Sequence, residues 1–156
     1  MRNRTFRLLL LMSFLATGAC FAQIGDVQIG TWKLDPARSK LIPHMGRNDI
    51  VDVEWSLFKR KVTISGVDTD GHAMHSEWRG KFDGQDYPVT GDPTSDMRSY
   101  AKVNDHTLNF RVKRGGQVVA TGTVVVSPDG KSRTATAWVT RHKKKVKSVA
   151  VYVKAK

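Results

Sequence analysis

The chain has 156 residues, a single cysteine and a formal net charge of +12. A chain of this length can build one hydrophobic core, and one thiol excludes a fold stapled by internal disulfides. The charge is lopsided: no Asp or Glu follows Asp129, nine basic residues lie between Lys131 and Lys156, and residues 23–129 are neutral. Such asymmetry points to a local anion-attracting surface rather than to a uniformly basic protein.

The first element reads as an export signal. Arg2, Arg4 and Arg7 precede an apolar run from Leu8 to Ala16, and a window of small residues follows. The run is shorter than the roughly 20 residues that cross a bilayer as a helix; a buried N-terminal helix is the structural alternative. Cleavage after Ala22 makes 1–22 a signal peptide and leaves 23–156 as one domain, cysteine-free and with a net charge of +9. Cleavage before Cys20, in Thr17-Gly18-Ala19-Cys20, makes a lipoprotein instead. Thr17 stands where that box carries an aliphatic residue, so release into the periplasm or medium is the expectation.

Gly30-Thr31-Trp32-Lys33-Leu34 is the first strand, and Asp35 to Asp49 is a loop in which Pro36 and Pro43 prevent a long helix. Beyond it, short alternating runs are broken by turn dipeptides. Val62 and Ile64 share one face of a strand, and Leu108, Phe110 and Val112 share one face of another. Near the C-terminus, Val149, Val151 and Val153 alternate with Ala150 and Tyr152. The breaks are Asp70-Gly71, Asp83-Gly84, Asn104-Asp105, Gly115-Gly116 and Pro128-Asp129-Gly130, which suit tight hairpins. The spacing predicts about ten strands in a meander: 30–34, 48–57, 60–68, 72–82, 85–90, 97–103, 106–114, 117–127, 132–141 and 146–154. A meander this long hides its edges most directly by closing, so the expected fold is all-β, a single antiparallel up-and-down barrel of about 8–10 strands. An open sandwich is the alternative. In a barrel, Trp32 is placed to plug the closed end, with Gly30 letting the backbone pass close to it.

The opening GTWKL resembles the first strand of lipocalins and intracellular fatty-acid-binding proteins. GTWKLDPARSK, KFDGQDYPVTGDP, VVSPDGKSRTAT and VAVYVK together resemble exported bacterial lipocalin-like proteins of unestablished activity, over most of the mature chain. The resemblance implies a calycin-type barrel that binds a small apolar or amphiphilic ligand. It also implies that Tyr152 faces inward as a ligand contact, with Ala150 standing where fatty-acid-binding proteins carry an Arg. Alternation alone sends the valines of that strand inward and leaves the barrel filled.

The residues show no catalytic set and no cofactor motif. A nucleophile, base and orienting group cannot be assembled from the sequence pattern, so the expectation is a protein that is not an enzyme. His72 and His75, three apart on a strand, point to opposite sides, which argues against a metal pair. The acidic stretch with Asp83, Asp86, Asp92 and Asp96 reads as turn chemistry, and Tyr87 as a packed aromatic. Arg141, Lys143, Lys144, Lys145 and Lys147 form a basic turn between the last two strands. That turn could meet anionic lipid or lipopolysaccharide, or serve an envelope-surface or inhibitor module with a packed barrel. Nucleic acid is not expected, because no aromatic platform is interleaved.

Overall fold

A computed structural model describes residues 25–141 and 144–155; the stretch expected to be a signal peptide, 1–22, lies outside them. Ten antiparallel strands close into one barrel, and the described residues contain no α-helix. The strands are β1 (Gly30–Leu34), β2 (Arg47–Ser56), β3 (Lys59–Val67), β4 (Ala73–Gly80), β5 (Tyr87–Thr90), β6 (Met97–Lys102), β7 (Thr107–Arg114), β8 (Gln117–Val126), β9 (Ser132–Arg141) and β10 (Lys144–Lys154). Each strand pairs with the next in sequence, and β1 pairs with β10 through Trp32↔Lys154 and Leu34↔Tyr152. No sheet edge is left open, as the turn spacing leads one to expect. The loop after β1 holds only one turn of 3-10 helix, Pro36–Arg38, capped by the Asp35 side chain.

Because neighbours run antiparallel, alternate loops gather at opposite ends. The β2–β3, β4–β5, β6–β7 and β8–β9 connections share one end with Gly30. The β1–β2, β3–β4, β5–β6 and β7–β8 connections share the other. The Gly30 end is closed. Trp32 is 0% exposed there, and its Nε1 donates to the Gln28 carbonyl at 3.0 Å. Gln28 Nε2 donates in turn to the His106 carbonyl at 3.1 Å, so the segment before β1 is tied across the barrel floor. Gly30 adopts a φ of 133°, and a side chain there would meet Lys154.

The core is formed by inward residues of alternating strands, among them Val51, Val53, Val62, Ile64 and Leu108. An aromatic group adds to it. Trp78 packs edge-on against Tyr100 at 4.8 Å and Tyr87 at 5.8 Å, and stacks on Phe82 at 6.1 Å. Gly80 is required for this packing, since a Cβ at that position would run into both Trp78 and Tyr87.

In β10 the alternation runs with the opposite parity to the one its valines suggest. Tyr152 is buried and Ala150 packs on the core, while Val153 is exposed and Val151 only partly covered. The inward face carries Ser148, Ala150 and Tyr152, and the β-branched valines take the outer face. Valine favours a pleated, half-buried surface irrespective of which side faces the lumen. The basic segment is also less of a turn than its composition suggests. β9 runs to Arg141 and β10 starts at Lys144, so Lys144, Lys145 and Lys147 are strand residues; Lys143 lies outside the described residues.

Candidate functional site

The barrel is not filled. A cavity of about 350 Å³ opens from the lumen toward the β1–β2 and β3–β4 loops, where Leu41, Met45 and Thr69 border it. Small side chains make this space. Ala120 on β8, Ala135 and Ala137 on β9, and Ser148 and Ala150 on β10 line one wall. Val51, Ile64, Met74 and Phe110 are among the apolar residues of the remaining wall. The wall is therefore mostly apolar, as a small-molecule site requires.

Three arginines line this cavity; Arg47 is exposed and pairs with Asp49, while the two buried ones, Arg98 and Arg133, differ in their partners. Arg98 on β6 lies beside the β5–β6 loop, and its Nη2 donates to Asp92 Oδ2 at 3.0 Å. Both side chains are nearly inaccessible to water. Burial pushes the Asp92 carboxyl up, but hydrogen bonds from Ser95 and Thr94 and the Arg98 charge outweigh it, and the group stays below its ordinary value. Replacing Asp92 with Ala strands the Arg98 charge and is expected to cost about 3–5 kcal/mol. Urea unfolding of Asp92→Ala checks this; a cost under about 1 kcal/mol would mean that the pair is solvated.

Arg133 is different. It enters from β9 in register with Tyr152 of β10, one layer above the Trp32 floor, and is 5% exposed. No carboxylate forms an ion pair with it among the described residues, and its Nη1 is buried with no hydrogen-bond partner there. Burial lowers the Arg133 pKa, and the nearby Tyr100 and Tyr152 only partly oppose this. Burial also pushes the Tyr152 hydroxyl up to about 12, although the Arg133 charge pulls the other way. The Tyr152 phenol thus stays protonated at neutral pH and can donate. The cavity floor presents a desolvated guanidinium and two phenols under an apolar chamber, a ready anion site.

The residues singled out from the sequence fall at separate places. Tyr152 lies in this cavity, and Trp32 and Gly30 lie below it. Lys144, Lys145 and Lys147 are exposed at the open end; Lys145 and Lys147 share a face, and Lys144 alternates with them. Lys147 Nζ stands 5.7 Å from the Trp138 ring. The acidic stretch serves turns and pairs: Asp83 accepts from Gln85 N–H and Tyr87 O–H, Asp86 pairs with Lys113, and Asp96 accepts from Gly115 N–H. Asp68, Asp70 and His72 bring ligand-type atoms within 4.8 Å of one another, but Asp68 Oδ1 already accepts the Asp70 and His72 amides of the same turn.

Arg133, Tyr100 and Arg98 were not legible as site residues. The signal that could have found Arg133 is its parity with Ala135 and Ala137, which puts a charge on a face of small residues. No protein-family model matches the chain, and no curated protein shows significant sequence similarity to it. The closed ten-strand barrel is consistent with a calycin-like fold.

Proposed function

We propose that this protein is an exported, non-enzymatic, lipocalin-like carrier that holds a small amphiphile in the barrel lumen, anionic head down on Arg133. One observation carries the reading: a buried guanidinium with no acid partner among the described residues and an unpartnered Nη1 at the floor of an apolar cavity. A charge held this way costs several kcal/mol unless something compensates it, and a bound anion does so. At about 30 Å³ per small group, 350 Å³ accommodates about a dozen non-hydrogen atoms. That fits a medium-chain carboxylate or a similar monoanion. Tyr152 and Tyr100 supply hydroxyl donors beside the head, and the chain runs up past Ile64, Met74 and Phe110 to the mouth.

Native mass spectrometry of delipidated protein, titrated with carboxylates of about 8 to 14 carbons, tests this. One-to-one adducts are expected. A protein that takes up none of them at millimolar concentration would sink the reading.

A second reading rests on the open end. Lys144, Lys145 and Lys147 are exposed and form no ion pair among the described residues, so this rim could meet an anionic envelope surface. On that reading the protein is an interaction module, and its rim lysines rather than Arg133 govern binding.

A further inference from the structure

The closed end carries a feature that neither reading uses. The β2–β3 hairpin turns at Leu57 and Phe58, which are 91% and 88% exposed. Leu57 sits at a φ of 55°, in the left-handed region where a tight hairpin ordinarily places Gly, Asn or Asp. Two large apolar side chains thus stand in water at a turn that favours small or polar residues. Behind them the hairpin changes character in steps. Ser56 pairs with Lys59, Trp55 with Arg60, and Glu54 with Lys61. Trp55 is 57% exposed, and the Arg60 guanidinium lies over its ring at 3.2 Å.

We infer that this hairpin is a membrane anchor: Leu57 and Phe58 enter the acyl boundary of an anionic bilayer, with Trp55 at the headgroup level and Lys59 to Lys61 against the phosphates. The order of chemistry along the hairpin favours a lipid surface over a protein partner. At about 3.4 Å per strand residue, Trp55 and Arg60 lie about 7 Å behind the tip and Lys61 about 10 Å behind it. Lys59, paired with Ser56, lies only one residue behind the tip and can extend its ammonium back along the hairpin. Interfacial elements bury their apolar face by about 5–10 Å, so Trp55, Arg60 and Lys61 arrive where the bilayer turns polar. Charge agrees with this. Residues 55–61 include three bases and no acid. Arg60 and Lys61 are balanced by Asp26 and Glu54, whereas Lys59 has no carboxylate partner among the described residues and lies 5.5 Å from the Tyr87 ring.

The chain also joins the fold at this end, since Asp26, beside the first described residue, bonds to Arg60 at 2.7 Å. With the tip in the bilayer, the mouth of the barrel, at the opposite end, is turned toward water.

Co-sedimentation with vesicles of phosphatidylglycerol and phosphatidylcholine at low and physiological salt tests the inference, with Leu57→Ser/Phe58→Ser compared with Lys144→Gln/Lys145→Gln/Lys147→Gln. The wild type is expected to bind, and the tip variant to lose about tenfold or more of its partitioning at both salts. The rim variant should retain most binding at physiological salt, where exposed charges are screened. Unchanged far-UV spectra and melting temperatures show that both variants fold, which the exposure of all five residues leads one to expect. Binding lost in the rim variant but kept in the tip variant would overturn the inference, as would no wild-type binding at either salt. A tip variant that only converts a dimer to a monomer, with vesicle binding intact, would assign the tip to self-association instead. Ligand uptake by the lumen is independent of each result.

Discussion

Arg133→Met is expected to stabilise the ligand-free barrel and to abolish its binding of anionic amphiphiles. The two effects have one cause. In the empty protein the guanidinium is 5% exposed, has no acid partner among the described residues and has an unpartnered Nη1, so it opposes folding. An unbranched apolar side chain of similar length fills the space and removes the desolvated charge. Replacing buried charges by apolar groups of like volume is often worth about 1–4 kcal/mol. Urea unfolding should therefore shift to a higher midpoint with an unchanged slope. Affinity for a carboxylate should fall by about 2–5 kcal/mol, the range for removing one partner of a buried, hydrogen-bonded charge pair. Arg133→Lys keeps the charge but loses the planar fork, and should recover only part of the affinity. A destabilised Arg133→Met barrel would show that the chain itself satisfies the guanidinium.

Trp32→Ala is expected to cost the fold as much as the loss of the Arg98 partner. The indole is wholly buried, donates to the Gln28 carbonyl and lies 6.0 Å from the Arg133 guanidinium carbon. Truncation removes a large apolar surface, leaves a cavity and unfastens the segment tied across the floor. Losses of this kind run to about 3–5 kcal/mol. Equilibrium unfolding measures it, and a cost under about 1 kcal/mol would deny Trp32 its part in closing the barrel. Water reaching Arg133 through the opened floor should also weaken anion binding, because the guanidinium would no longer be poorly hydrated.

Most of the barrel was legible because its information is local. Asp70-Gly71, Gly115-Gly116 and Asp129-Gly130 mark turns through their own backbone preferences, and Gly71, Gly115, Gly116 and Gly130 all adopt positive φ. All ten expected strands are present, with ends shifted by at most two residues. Face assignment was legible where one side of a strand is clearly apolar, as at Val62 and Ile64. In β10 alternation pointed to Val149, Val151 and Val153 and the resemblance to Tyr152, and it is Tyr152 that turns inward. The lumen there accommodates one large ring above small neighbours, a demand set by the strands around it and not by β10 itself.

The site was hidden for the same reason. Arg133 counts in the sequence as one of nine C-terminal bases. Its role depends on Tyr152 beside it and Tyr100 across the lumen, thirty-three residues earlier in the chain. Ala135 and Ala137 share its face, but Thr134 and Thr136 make the other face hardly more polar, so β9 does not declare which side is inside. In the sequence the Leu57–Phe58 tip is only the end of a strand and a turn, and its exposure becomes visible in the fold.

The central claim is that an anionic head, rather than an apolar chain alone, completes this barrel. Isothermal titration of the wild-type protein with decanoate and with decanol, matched in chain length, tests it most directly. Both chains fill the lumen and both heads can accept hydrogen bonds there, but only the carboxylate brings a negative charge to compensate the Arg133 guanidinium. Decanoate is expected to bind one-to-one and at least about tenfold more tightly, the effect of one net charge-assisted hydrogen bond. Equal affinity for the two ligands, or tighter binding of the alcohol, would contradict the account.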